Sequence, residues 1–131
     1  MDRKSAERLI EGYIGGWRSF DKEMSLSVLH PDAIVYECYG PVYHGAEEIG
    51  DWFDGWHAAD GKVLCWDIEN IHYDFENQTG VAQWYFECHS QGQNYEFFGC
   101  SVFEFCEGKI ISVKEYDMDK EKSYPYAKDQ I

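Results

Sequence analysis

The sequence predicts an α+β domain in which three N-terminal helices close one curved, mainly antiparallel sheet around an aromatic-lined pocket. Two observations carry this. Apolar residues recur at helical spacing through the first third of the chain, and from Lys62 onward the spacing changes to a period of two. Turn-forming residues separate the alternating segments, so helices come first and hairpins follow, a layout distinct from βαβ repeats. Aromatic residues make up 18% of the chain, a high share that argues against disorder.

The first helix rests on Ala6, Leu9, Ile10, Tyr13, Ile14 and Trp17, which form one continuous stripe at i, i+3, i+4, i+7, i+8 and i+11. Gly15 and Gly16 weaken its last turns without interrupting the stripe. Asp21 is placed to cap a second, shorter helix carrying Met24, Val28 and Leu29, with Pro31 marking its end. Ala33 to Cys38 reads as a short strand and Gly40-Pro41 as a turn. A third helix begins after Gly45 and puts Ile49, Trp52, Phe53 and Trp56 on one face.

Strands follow. Leu64, Trp66 and Ile68 alternate with Cys65, Asp67 and Glu69, and Ala82, Trp84, Phe86 and Cys88 alternate with Gln83, Tyr85, Glu87 and His89. Tyr95 to Phe105 and Ile110 to Asp117 continue the pattern. Their separators, Asn77-Gln78-Thr79-Gly80, Ser90-Gln91-Gly92-Gln93-Asn94 and Glu107-Gly108, have hairpin chemistry. Phe97-Phe98 and Val102-Phe103 place bulk on both faces of the sheet. The helices cover one face, and the other calls for a homodimer through the sheet.

One domain is expected over residues 1–131, with a core of about 5–119 and a polar tail over 120–131 that frays. The formal charge of -14 disfavours phosphate backbones and anionic lipid, so neither nucleic acid nor a membrane surface is expected as a partner. No apolar run approaches the ~20 residues of a membrane span. The five cysteines lack C-x-x-C spacing and read as free thiols in a reducing compartment. Met1-Asp2-Arg3-Lys4 leads directly into the first amphipathic stripe, so a cytoplasmic location is expected.

Several motifs fix a family resemblance. Trp17 stands near the end of helix one, His30-Pro31-Asp32-Ala33 precedes the first strand, and Val42-Tyr43-His44-Gly45 precedes helix three. With Gly99, Phe103, Phe105, Gly108-Lys109-Ile110 and Glu115-Tyr116-Asp117, the chain resembles the SnoaL-like branch of the nuclear transport factor 2-like superfamily. The resemblance spans roughly Ser5 to Asp119 and implies a cone-shaped α+β barrel with an internal pocket. It does not fix one activity, because the superfamily includes isomerases, cyclases, dehydratases, hydrolases and non-catalytic domains. No cofactor or metal is implied.

Ketosteroid isomerases offer a residue-level comparison within that superfamily. Ala33-Ile34-Val35-Tyr36-Glu37 aligns without a gap on their Ala-Thr-Val-Glu-Asp pattern and puts Glu37 at the base position. Their oxyanion-donating tyrosine corresponds to Tyr13, and their second donor, an aspartic acid, falls on Ser101. A serine is a weaker donor than a neutral carboxylic acid, so steroid isomerisation itself is not implied.

The residues carry their own reading. An inward Glu37 beside Val35 and Tyr36 would be desolvated and raised towards neutrality, suiting a base that removes a proton α to a carbonyl. An outward Glu37, or one paired with Tyr13, would be purely structural. Asp117 lies where SnoaL-like cyclases keep an acid/base aspartate, and Glu115 shares its face by the period of two. Both would otherwise form a solvated acidic edge. His30, His44 and His57 suit helix-end and turn roles, whereas His72 shares a phase with Trp66 and Ile68 and so could face the pocket. No pair of histidines has metal-ligand spacing.

The aromatic candidates for a pocket lining are Trp17, Trp52, Phe53, Trp56, Trp66, Trp84, Phe86, Phe97, Phe103, Phe105 and Tyr116, although most such residues are core. The set chosen as ligand-binding is Trp17, Trp52, Trp56, Phe86, Phe97, Ser101 and Phe103. The expected function is binding of a small apolar or aromatic ligand. The resemblance adds isomerase-like proton transfer on a small apolar carbonyl compound, with Glu37 as base and Tyr13 as donor. Two alternatives stay open: a non-catalytic ligand-binding or dimerisation domain, and a cyclase- or hydrolase-like enzyme using Asp117.

Overall fold

Helix α1 (Arg3–Arg18) begins where the Asp2 side chain accepts the Ser5 N–H at 2.8 Å, a conventional N-cap. In the computed structural model, which describes residues 1–128, the α1 stripe buries Ala6, Ile10, Tyr13, Ile14 and Trp17. Gly15 and Gly16 belong to that buried face, and close approach explains them better than helix weakening does. A β-carbon on Gly16 would stand 2.0 Å from Ser25 Oγ and 2.5 Å from the Ser25 backbone nitrogen. Without it, α2 (Lys22–Leu26) sits directly on α1, and Ser25 Oγ donates to the Tyr13 carbonyl at 2.7 Å.

The second helix is shorter than its pattern suggested. Asp21 caps it by accepting the Met24 N–H at 3.2 Å, but it ends at Leu26 rather than at Pro31. Strand pairing captures the remainder. The Ile110 N–H donates to the Val28 carbonyl at 2.9 Å, and Leu29 already belongs to β1 (Leu29–Tyr36). Pro31 is tolerated there because the ladder is irregular between Leu29 and Ile34, where no donor is required.

The remaining elements are β2 (Val42–His44), α3 (Gly45–Ala58), β3 (Lys62–Asp74), β4 (Thr79–Ser90), β5 (Gln93–Cys106) and β6 (Lys109–Asp119). The strands form one curved, unclosed six-stranded sheet in the order β2-β1-β6-β5-β4-β3, antiparallel except for the parallel β1–β6 pair. Gln91-Gly92 and Glu107-Gly108 all have positive φ, between 52° and 79°, as two-residue hairpin turns matched to strand twist require.

Two irregularities in β3 reset its alternation. The register shifts between Val63 and Cys65 and again between Ile68 and Asn70. Beyond the second shift Ile71 and Tyr73 pack on the core, so His72 is exposed rather than facing the pocket as uniform alternation would have it. The inner face of the sheet packs Val35, Ala82, Trp84, Phe103, Phe105 and Val113 against Ile10, Tyr13 and Ile14 of α1. The opposite phase presents Phe98, Cys100, Val102, Tyr116 and Met118 outward, with Tyr116 53% and Met118 55% exposed. Among the described residues no helix is long and apolar enough to cross a membrane. The described part of the tail, Lys120 to Lys128, is exposed, and its last three positions, 129–131, lie outside the described residues.

The Gly16 contact makes the helix pair easy to test. Gly16→Ala should lower stability by about 2–3 kcal/mol in urea unfolding, because backbone as well as the Ser25 hydroxyl must move. A loss below ~0.5 kcal/mol would mean that α2 can slide away without penalty.

Candidate functional site

Strand register brings the chemistry together. On the inward phase of β5 and β6, Ser101 pairs with Glu115 and Gly99 with Asp117. The parallel ladder sets Val35 beside Val113, so Glu37, two residues past Val35 and one past the end of β1, comes level with Glu115. Three carboxylates thus gather at one end of the sheet, and Glu37, Glu115 and Asp117 all line one cavity.

Hydroxyl groups hold two of the three. Tyr43 Oη donates to Glu37 Oε1 at 2.9 Å. Ser101 Oγ donates to Glu115 Oε2 and accepts from Trp84 Nε1 at 2.9 Å, which uses both roles of that buried hydroxyl. Glu115 Oε1 makes no hydrogen bond to any described residue. Burial raises the Glu115 pKa to about 7; the Ser101 hydroxyl pulls against this and the Glu37 charge adds to it. Burial also raises Glu37, while the Tyr39 and Tyr43 hydroxyls act to lower it.

The cavity encloses about 530 Å³, within the usual range for small-molecule sites. All five tryptophans of the chain line it. On the helical side Trp17 packs against Trp52 at 4.6 Å and Trp56 at 5.7 Å between ring centroids. On the sheet side Trp66 meets Trp84 edge-on at 5.6 Å and Phe86 at 5.2 Å, with Phe97 5.3 Å from Phe86. Tyr43 links the two sets of groups: its ring stacks on Trp52 at 4.4 Å while its hydroxyl holds Glu37.

Of the residues singled out by sequence, Glu37, Asp117, Trp17, Trp52, Trp56, Phe86 and Phe97 line the cavity. Tyr13, Ser101 and Phe103 do not; all three are fully buried behind its wall. Tyr13 lies in the middle of the α1 stripe and packs edge-on against Phe103 at 6.1 Å, so both rings serve the core. Its hydroxyl has no hydrogen-bond partner, and burial together with the Glu115 and Glu37 charges raises its pKa well above the ordinary tyrosine value. Ser101 is occupied by Trp84 and Glu115 and supports the site from behind. Phe53 and Phe105 are core, and Tyr116 faces outward.

Sequence reasoning left Glu115, Trp66, Trp84, Tyr39 and Tyr95 out of the chosen site, yet all five line the cavity. For Glu115 the signal was present, since it shares the face of Asp117 and lies deeper along the strand. Cys38 and Cys88 also line the cavity, and burial pushes both thiols up to about 11, which removes them as nucleophiles near neutrality. Outside the cavity, His30, Cys106 and Glu107 cluster on the surface. There His30 Nδ1 accepts the Asp32 N–H at 3.1 Å, which leaves the ring proton on Nε2, facing Glu107 at 3.4 Å. That tautomer suits a hydrogen bond and not a metal ligand.

The chain belongs to the SnoaL-like domain family, whose model matches residues 10–113. Solved structures agree on the fold. A candidate isomerase from Bacillus subtilis superposes with a TM-score of 0.77 at 16% identity, covering 90% of each chain. An LEH-like epoxide hydrolase from M. tuberculosis gives 0.76 at 16% identity, over 88% of this chain and 84% of that one. A candidate polyketide cyclase from Xanthomonas campestris pv. campestris gives 0.72 at 18% identity, over 87% and 90%. A search of curated proteins finds no match. At such identities the likeness establishes the fold and leaves the chemistry to the site.

The raised Glu115 has a measurable consequence for stability. Its pKa is about 7 in the folded protein, while the unfolded chain gives up the same proton near 4.5. The folded state therefore binds more protons between those values, so stability falls as pH rises through that window and levels off above it. Glu115→Gln cannot titrate. Relative to the parent it should gain about 1–3 kcal/mol between pH 4 and pH 8. A pH-independent difference in urea unfolding would refute the shift.

Proposed function

We propose that the cavity is a catalytic site for proton transfer on a small, largely apolar carbonyl compound, with Glu37 as base and Glu115 as neutral acid. The observation that carries this reading is the level placement of the two carboxylates on one wall of an aromatic cavity. Mutual repulsion and burial oppose double ionisation, so near neutrality the pair favours holding one proton. Glu115 Oε1 can carry that proton, because Ser101 already occupies Oε2 as a donor.

In such a site the carbonyl oxygen of the ligand accepts from the Glu115 carboxylic acid. Glu37, oriented by Tyr43, removes the proton on the adjacent carbon. Negative charge then develops on the oxygen next to a donor that is neutral in the ground state, and preorganisation of this kind favours the transition state over the ground state. The family resemblance had suggested a gap here, because Ser101 stands where ketosteroid isomerases keep their acid. On this reading Glu115, its partner across the β5–β6 ladder, supplies the acid instead. Fold likeness to isomerases, cyclases and epoxide hydrolases is compatible with this reading and does not select it.

The outward row Phe98, Cys100, Val102, Tyr116 and Met118 supports a second proposal, that the open face of the sheet meets a second copy of the chain. Sedimentation velocity should then give twice the chain mass, and Met118→Glu should return the monomer. A monomeric parent at tens of micromolar would exclude this dimer.

Proton transfer is tested by deuterium incorporation from D2O into a panel of cyclic ketones, followed by NMR. Glu37→Gln should lose about 10²–10⁴-fold in exchange rate while ligand binding persists. The parent rate should fall as pH rises above about 7, where Glu115 loses its proton, and Glu115→Gln should abolish that limb. Exchange that is equal in parent and Glu37→Gln would remove the base. Binding without exchange for every ketone would leave a non-catalytic pocket.

A further inference from the structure

Glu37, Glu115 and Asp117 line a cavity that contains no lysine, arginine or histidine among its wall residues. None of the three makes an ion pair among the described residues. Buried carboxylates are ordinarily paired or neutralised; here hydroxyl groups alone meet Glu37 and Glu115, and Asp117 is exposed at the cavity's edge. All five tryptophans share the cavity wall with them. Indole rings present negative potential on their faces, and those faces attract cations. Negative charge and indole rings together therefore lack one thing, a positive charge supplied from outside.

We propose that the cavity takes a cationic ligand, an amine or quaternary ammonium compound, with the ammonium group held between the tryptophans and the carboxylates. This rests on the reading of the cavity as the ligand site and names the chemical class that fills it.

Binding of this kind is coupled to protons. The groups facing Glu115 are Tyr13 from α1, Glu37 and Cys38 beyond β1, Ser101 from β5, and Asp117 on β6; none is cationic. An arriving ammonium favours ionised Glu115, whose proton leaves to solvent. Cation affinity should therefore rise with pH through neutrality, and affinity for a neutral ligand should not.

The test compares phenacyltrimethylammonium with its carbon isostere, 3,3-dimethyl-1-phenylbutan-1-one, by calorimetry and tryptophan fluorescence at pH 6 and pH 8. The cation should bind about 10-fold or more tightly than the ketone at pH 8, with a smaller preference at pH 6. The double variant Glu115→Gln/Asp117→Asn should lose most of that preference, read as the ratio of cation to ketone affinity within the one variant. Equal or tighter binding of the neutral isostere at pH 8 would overturn the proposal, as would a preference unchanged in the double variant. Deuterium exchange into the neutral isostere separates the two readings. Exchange without cation preference defeats the ligand class alone, and cation preference without exchange on either probe defeats the proton-transfer role alone.

Discussion

The parallel pairing of β1 with β6 is the constraint on which the site depends. It joins an early segment to the last strand, and its register sets Val35 beside Val113. From that register follows the level placement of Glu37 and Glu115. A slip of one residue would turn either side chain to the opposite face of the sheet and dissolve the pair. The rest of the fold protects this register. β2 closes the free edge of β1 through Ile34–His44 to Tyr36–Val42, and α3 follows immediately to pack Ile49 and Phe53 into the core.

Packing and electrostatics share residues at the cavity. Trp17 touches Trp52, Phe53 and Trp56 at ring separations of 4.5 to 5.7 Å, so one α1 residue organises the helical wall. Trp52 in turn stacks on Tyr43, whose hydroxyl orients Glu37. Orientation of that carboxylate is thus mechanically tied to the hydrophobic cluster that shuts the pocket. On the sheet side the same logic recurs through Trp84, which lines the cavity while its indole N–H fixes the Ser101 hydroxyl that bonds Glu115. A ligand pressing on either aromatic wall presses on the support of a carboxylate.

The architecture was legible because periodicity is a repeated signal, read many times over along each element. The α1 stripe, the α3 face and the hairpin turns each restate their geometry over several residues. What failed were features set by a single contact or a single inserted residue. Val28 and Leu29 fit a helix stripe, yet pairing with Ile110 draws them into a strand. One register shift in β3 moves His72 to solvent. For the site, alternation correctly grouped Glu115 with Asp117 and Phe97 with Ser101, but it reports only which face a residue occupies. How deep along the strand it lies depends on where the helices cross, and this buries Tyr13, Ser101 and Phe103 while leaving Glu115 at the cavity.

The origin of the raised Glu115 pKa can be narrowed by range. The chain carries a formal charge of -14, and that field also favours bound protons. At physiological ionic strength, however, screening acts over about 8 Å, so charges spread across the surface count for little at a cavity wall. Local burial is the larger influence on Glu115, and the charge that adds to it is that of Glu37. The acidity of the site is therefore a property of the β1–β6 register and the aromatic walls rather than of overall composition. It follows that surface acidic residues can change widely with little effect on the pair, whereas a shift of one strand or one wall tryptophan alters it directly.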